Sequence, residues 1–257
     1  MGSNPTRSTT LQVSLKYRKI IKLLLYFINW ERKITINVFE SNKVVEKKTK
    51  SFTNLRHFIL IFCFTLISIF SGNPSSPPGI GQKIVENESF EFRNKLKLIG
   101  INTPKLFSIS YDEIIEEYIK GGNLYFYFHT DQANDLAFQA GKITGLLHNN
   151  GFVFNDNKCQ NYLVNEDKEV IRIDLGFIQK SESVFAQSMD VGSFLASILD
   201  LKPQIYRKVA KEFLSGYLEM TNKKIPYLSI ILRNILALGF VYSHDNMIQN
   251  MLNKRIP

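Results

Sequence analysis

The stretch that most narrows what this chain can fold into is residues 155–176. It opens with Asn155-Asp156-Asn157-Lys158-Cys159-Gln160-Asn161 and runs through a short strand pattern at 162–165. It then turns over 166–169 and returns through 170–173 into Asp174-Leu175-Gly176. Two short apolar runs around a polar turn read as a β-hairpin. A turn centred on Asp167-Lys168 pairs Tyr162 with Ile173 and Asn161 with Asp174. Directly opposed side chains lie about 4.5–5.5 Å apart at Cβ, so Asn161 and Asp174 are expected to meet at the open end of the hairpin, facing the same way. An amide oxygen and a carboxylate that converge suit magnesium, which takes hard oxygen ligands from one or two protein groups plus phosphate. Asp156, on the loop feeding the same end, can orient or deprotonate an acceptor hydroxyl. Lys158 sets a positive charge where a transferring phosphoryl group needs one. The bland alternative is an Asx-rich turn, since Asp and Asn favour turns for their own hydrogen bonds. The agreement of both halves favours the site.

The rest of the chain is organised around this stretch. Residues 33–39 alternate Ile34, Ile36 and Val38 with polar side chains, Glu40-Ser41-Asn42 turns, and 43–48 returns, so two strands are expected. Residues 71–81 (SGNPSSPPGIG) form a loop by composition. Residues 86–99 are a helix candidate with Glu88, Phe92, Leu96 and Ile99 on one stripe and Gly100 closing it. A hairpin is expected from 106–110 and 113–119, after which Gly121-Gly122 breaks the chain. Residues 131–148 are the clearest helix, with Ala133, Leu136, Ala140, Ile143 and Leu147 on one face. Helical patterns follow at 189–199, 204–219 and 225–238. Strands and one helix, a glycine break, then a mostly helical half describe an α+β chain in two lobes, with the boundary near Gly121.

With these residues in view, Asp-x-Lys-x-x-Asn followed by a hairpin and Asp-x-Gly resembles the catalytic and metal loops of the protein-kinase superfamily. The compact form is most similar to the RIO-like lineage, above all the small kinases of the KEOPS complex, which supports threonylcarbamoyl-adenosine modification of tRNA. Gly100-Ile101-Asn102-Thr103-Pro104-Lys105-Leu106 resembles the link from the first small-lobe helix to the next strand. Glu117-Tyr118-Ile119-Lys120-Gly121-Gly122 resembles the hinge, and Asp190 resembles the large-lobe Asp that braces the catalytic loop.

The resemblance covers roughly residues 33–220 and implies a two-lobed kinase-like fold. It divides the chain into a basic apolar segment at 1–32, a strand-rich lobe at 33–120 with an apolar insert at 54–82, and a helical lobe at 121–257. It implies ATP and Mg2+ as cofactors, Asp156 as acceptor base, Lys158 as charge stabiliser, and Asn161 and Asp174 as metal ligands. Lys47 would anchor the α- and β-phosphates with Glu88 as its ion-pair partner, Lys48 and Glu91 being the fallback pair. The backbone of Glu117 and Ile119 would meet the adenine. The activity implied is ATP-dependent phosphoryl transfer of the serine/threonine-kinase type, or ATP hydrolysis, in a protein complex serving tRNA modification. Two other readings stay open: a small-molecule or lipid-saccharide kinase, which shares this loop grammar, and a pseudokinase scaffold at RNA or membrane. The chain departs from the family in several places. No glycine lies between Gly2 and Gly72, Phe154 replaces the usual histidine, Leu175 replaces Phe, and Glu116 stands where an apolar residue lines the adenine pocket.

Charge and hydropathy bear on partners. Residues 1–60 carry 12 Lys/Arg against 3 Asp/Glu, whereas 61–257 carry 20 against 20, so the net charge of +9 sits at the start. A local basic excess favours phosphate-rich partners, here tRNA or anionic lipid. Two apolar stretches, 20–30 and 58–70, are too short to span a bilayer, which takes about 20 residues, so a cytoplasmic place, at most peripheral to a membrane, is expected. Cys63 and Cys159 are expected to be reduced thiols without a disulfide partner. The first ten residues, MGSNPTRSTT, are expected to lie upstream of the native start, because Gly2-Ser3-Asn4-Pro5 is what a tRNA-gene T-arm yields when translated. If the basic start contacts polyanions, the full chain binds tRNA or anionic vesicles with an affinity that falls as salt rises, and removing residues 1–33 flattens that dependence. Salt-independent or absent binding to both would leave the lysines as solubilisers only.

Overall fold

A computed structural model describes residues 33–48, 62, 65, 66, 68, 69, 79 and 82–221. The readings made for 1–32, for most of the apolar insert and for 225–238 lie outside the described residues. Within the apolar run, Phe62, Thr65, Leu66, Ser68 and Ile69 are helical. No helix among the described residues is long and apolar enough to cross a membrane.

The chain is α+β. Strands β1 (Lys33–Phe39) and β2 (Asn42–Lys48) form a hairpin whose two loop residues, Glu40 and Ser41, both take positive φ (47° and 67°). That is the twist-compatible two-residue hairpin turn. The apolar set of β1, Ile34, Ile36 and Val38, is exposed. Helix α1 (Gln82–Glu88) is followed by α2 (Phe90–Leu98). The single helix expected over 86–99 is broken at Ser89, whose hydroxyl donates to the Glu86 carbonyl and accepts the Phe92 N–H at 3.3 Å. A serine that bonds its own backbone in this way starts a new helix instead of continuing the old one. Gly100, at φ 87°, ends α2 as its position suggests.

Strands β3 (Leu106–Ile109) and β4 (Glu113–Glu117) then complete a four-stranded antiparallel sheet in the order β1-β2-β4-β3. In the β2–β4 register Val45 opposes Glu116 and Lys47 opposes Ile114. Side chains alternate across a strand, so Lys47 and Glu116 stand as diagonal neighbours on one face.

The helical part follows a short helix α3 (Leu124–Tyr127). Helix α4 (Ala133–Asn149) carries the expected buried face and packs along α6 (Pro203–Thr221), and it also touches α5 (Val184–Ala196). Between α4 and α5 lie β5 (Phe152–Val153), a 3-10 turn (Cys159–Asn161), the hairpin β6 (Tyr162–Val164) and β7 (Val170–Arg172), and β8 (Gln179–Lys180), which pairs with β5. One core joins Leu136, Ala140, Leu147, Phe154, Tyr162, Phe194 and Phe213, with the Phe194 and Phe213 rings stacked at 3.9 Å. Cys159 is a buried free thiol, and burial pushes it well above the usual thiol range.

The α4–α6 contact depends on glycine. A Cβ on Gly141 would sit 2.0 Å from the Phe213 carbonyl oxygen, and one on Gly216 would sit 2.1 Å from that of Phe138. Backbone cannot yield as a side chain can, so the helices would have to part. Gly141→Ala and Gly216→Ala should each cost about 1–3 kcal/mol or more, read as a lowered midpoint in chemical unfolding. An unchanged midpoint in both would show that the helices do not approach this closely.

Candidate active site

The β6–β7 hairpin differs from expectation by one residue. The pairs are Tyr162 with Arg172, Leu163 with Ile171 and Val164 with Val170. The cause is the turn. Asn165 and Glu169 close a three-residue loop, Asn165 N–H donating to the Glu169 carbonyl at 3.0 Å, and Lys168 takes a left-handed φ of 64°. Three-residue hairpin loops with a left-handed last residue are a common class, and they centre the hairpin on one residue instead of between two. Asn161 therefore opposes Ile173, whose N–H donates to the Asn161 carbonyl at 3.0 Å. Asp174 lies one position beyond, where a regular strand would turn its side chain away. Its backbone instead adopts φ 59°. That conformation is uncommon for non-glycine residues, Asp and Asn tolerating it best.

The loop before the hairpin gathers the residues singled out there. The Asn161 side-chain amide donates to the Asp156 carbonyl at 2.8 Å and to its carboxylate at 3.1 Å. The Lys158 ammonium lies 2.9 Å from the same carboxylate. Beneath them Arg172 is buried, with its guanidinium over the Phe154 ring at 4.2 Å and the Tyr162 ring at 4.9 Å, and it donates to the Asp156 carbonyl at 3.0 Å. Asp190 braces the loop from α5: its carboxylate accepts the N–H of Phe154 at 2.6 Å and of Asn155 at 2.8 Å and bonds His148 Nε2 at 2.9 Å. Asn155 is itself left-handed, at φ 61°. Asn157 reaches the Thr144 hydroxyl and the Asp190 carbonyl, and accepts from the Tyr162 hydroxyl. Phe154 itself is buried in the core, between the Arg172 guanidinium and the Tyr162 ring.

The second cluster is a chain of buried charges. Lys47 meets Glu116 at 2.5 Å. The other Glu116 oxygen accepts from Arg93 Nη2 at 2.7 Å, and the same nitrogen lies 2.8 Å from Glu88. Arg93 also donates to the Glu88 carbonyl and to the Pro104 carbonyl. The remaining Glu88 oxygen accepts the Leu175 N–H at 2.9 Å, and Asn87 donates to the Gly176 and Ile178 carbonyls. The sheet, both small helices and the segment after the hairpin are therefore joined through charged or polar side chains shielded from water.

Burial alone would lower the Lys47 ammonium. The charges of Glu116, Glu88 and Asp174 outweigh it and hold the group above its ordinary value of 10.5. Burial would likewise raise Glu116, but Lys47 and Arg93 hold its carboxyl below its ordinary value of 4.5. The Asp174 charge felt at Lys47 puts the end of the hairpin and the β2 lysine in one electrostatic neighbourhood.

The carboxylate in direct contact with Lys47 is thus Glu116 from the neighbouring strand, and Glu88, the partner expected from the sequence, is engaged by Arg93 and by Leu175. The fallback pair does not form: Lys48 bonds Glu46 and Glu113, and Glu91 bonds Lys95. Glu117 ends β4, its carboxylate accepting the Lys105 N–H at 3.0 Å, and Ile119 lies on the connection that leaves the sheet. That connection abuts the hairpin, since the Val164 N–H donates to the Gly122 carbonyl at 2.8 Å. Sequence reasoning missed the roles of Glu116, Arg93 and Arg172. A signal was present for two of them: Glu116 follows Ile114 on the inward face of its strand, and Arg172 interrupts an apolar run, so each had to find buried partners. Among the described residues no group of three or more His, Cys, Asp or Glu side chains forms a metal cage.

No protein-family model matches the chain. It is 27% identical over 124 residues to a probable bifunctional tRNA threonylcarbamoyladenosine biosynthesis protein of Methanocaldococcus jannaschii, a stretch covering 48% of this chain and 22% of that protein. It is 28% identical over 137 residues to a protein of the same description from Methanococcus maripaludis, covering 49% of this chain and 23% of that protein. The chain therefore matches less than a quarter of the length of these curated relatives.

The buried pair has a pH signature. Glu116 is depressed in the folded state, so the stability it supplies is present above its unfolded value of 4.5 and lost as pH falls through the lower folded value. Lys47 is raised, so its share is present below 10.5 and lost as pH climbs past its higher folded value. Thermal unfolding followed from neutral pH down to pH 2 should show a loss that is shallower in Glu116→Gln than in the parent. Equal slopes would mean that Glu116 is not held ionised by this pair.

Proposed function

We propose that this chain is an ATP- and magnesium-dependent phosphotransferase or ATPase of the protein-kinase-like class, working in tRNA modification. The observation that carries the reading is the convergence of two clusters. Asp156, Lys158 and Asn161 are in mutual contact on one braced loop, and a buried strand lysine, Lys47, lies within the field of Asp174. The sheet-then-helices order and the Glu117–Gly122 connection between them support a kinase-like arrangement, in which the backbone of Glu117 and Ile119 would meet the adenine edge. The resemblance to tRNA threonylcarbamoyladenosine biosynthesis proteins supports a place in that process and a protein partner of that type.

Each residue has a role in this reading. Lys47 holds the inner phosphates. Asn161 and Asp174 offer an amide oxygen and a carboxylate to a hard cation, the small donor set that magnesium takes when phosphates supply other ligands. The fit is also electrostatic. Lys47 and Arg93 face Glu88, Glu116 and Asp174, which leaves the neighbourhood negative and unsuited to a bare polyphosphate. Magnesium, when bound, supplies the charge neutralisation that phosphoryl transfer requires. Asp156 accepts the proton of the acceptor hydroxyl, and Lys158, now on that carboxylate, is within reach of the transferring group.

A second reading, a scaffold that binds without turnover, is favoured by one observation: Lys47 is already neutralised by Glu116. Two variants separate the readings. Asp174→Asn should abolish magnesium-dependent nucleotide binding. Asp156→Asn should keep binding and lower turnover by about 10²–10⁴-fold. Isothermal titration and phosphate-release assays measure these. Turnover undiminished in Asp156→Asn would remove Asp156 from the mechanism, and a parent that binds ATP without any turnover would establish the scaffold.

A further inference from the structure

We infer that Glu116 is the specificity-determining residue that makes this site select a metal-complexed polyphosphate over the free anion. The inference rests on the nucleotide reading above and goes beyond it, because neither the catalytic loop nor the hairpin assigns Glu116 any task.

The lysine's countercharge sits on the neighbouring strand of the same sheet. Lys47 and Glu116 are neighbours on one face of one sheet, held by the β2–β4 ladder, and touch at 2.5 Å with both side chains buried. Glu116 has no rotational escape, since its second oxygen is bound by Arg93, which is fixed by Glu88 and the Pro104 carbonyl. The lysine therefore meets an incoming anion already satisfied. Any phosphate reaching its ammonium competes with a carboxylate that cannot leave and repels it. Opposition between like charges in a buried place is strong, because little water screens it. A free polyphosphate carries more negative charge than its magnesium complex and is opposed more. The carboxylate thus raises the cost of binding for both forms but more for the free one, and selection for the metal complex follows without any contact between Glu116 and the metal. The same chain reaches α1, where the other Glu88 oxygen accepts the Leu175 N–H next to Asp174.

The test uses the full chain and two probes, tripolyphosphate and ATP, each titrated in EDTA and in excess Mg2+. The parent should bind the magnesium complexes more tightly than the free anions. In Glu116→Gln, which keeps the shape and leaves Arg93 its bonds to Glu88 and Pro104, free-anion affinity should rise about tenfold or more, an estimate from the loss of one close buried charge. Affinity for the magnesium complex should rise less, so the ratio between the two falls. Glu116→Met should do the same and serves if the glutamine variant does not fold. Combining Glu116→Gln with Lys47→Met should cancel the gain, which a merely structural role for Glu116 would not predict, and Glu113→Gln, at a half-buried strand carboxylate paired with Lys48, should leave the ratio at the parent value. If the parent prefers the magnesium complex and Glu116→Gln keeps that preference undiminished, the inference is overturned while the nucleotide reading stands. If the parent binds neither probe in either form, the nucleotide reading falls and takes this inference with it.

Discussion

The structure around the site depends on one buried chain of charges, Lys47–Glu116–Arg93–Glu88, ending on the Leu175 N–H. Such chains are poor sources of net stability, because desolvating the ions costs nearly what their attraction returns. Removing one member is expensive, about 3–5 kcal/mol, since it strands a buried charge. Their value is positional. Here the chain fixes three separate pieces of backbone relative to one another: the β2–β4 ladder, the α1–α2 pair and the segment that carries Asp174. No apolar contact could set the Lys47 ammonium and the Asp174 carboxylate in a common field with the same directionality.

The loop that precedes the β6–β7 hairpin is held by a different principle. Its apolar members, Phe154, Cys159 and Tyr162, are anchored in the helical core, and its backbone is satisfied from below by Asp190 and Arg172. The Asp156 and Lys158 side chains are only partly buried. Left-handed residues stand at both ends of the loop-hairpin unit, Asn155 and Asp174, and at its turn, Lys168. Residues kept in such conformations cost of order 1 kcal/mol or more and persist where the surroundings over-determine them.

Much of this was legible in the sequence because it is local. The β1–β2 hairpin, the buried face of α4 and the juxtaposition of Asp156 with Asn161 follow from periodicity, turn composition and short spacing. The register of β6–β7 was misjudged by one position because it turns on the conformation of Lys168, a lysine with no compositional mark of a left-handed residue. The break at Ser89 was missed because a serine's bond to its own backbone competes closely with helix continuation. A helix stripe read along the chain points to Glu88, whose charge does act on Lys47, but not to Glu116, which reaches the lysine through a ladder between strands distant in sequence. Long-range charge pairing is a property of the fold, and only the oddity of a glutamate on an inward strand face announced it.

In the proposed function β2 and the loop-hairpin unit form one nucleotide site. Hydrogen–deuterium exchange on the full chain, with and without magnesium and ATP, addresses it directly. Amides of residues 44–48, of 155–161 and of 173–176 should slow together on addition of the magnesium–nucleotide complex, since all three would line the same bound ligand. Protection confined to one of these segments, or absent from all of them at saturating nucleotide, would contradict the account.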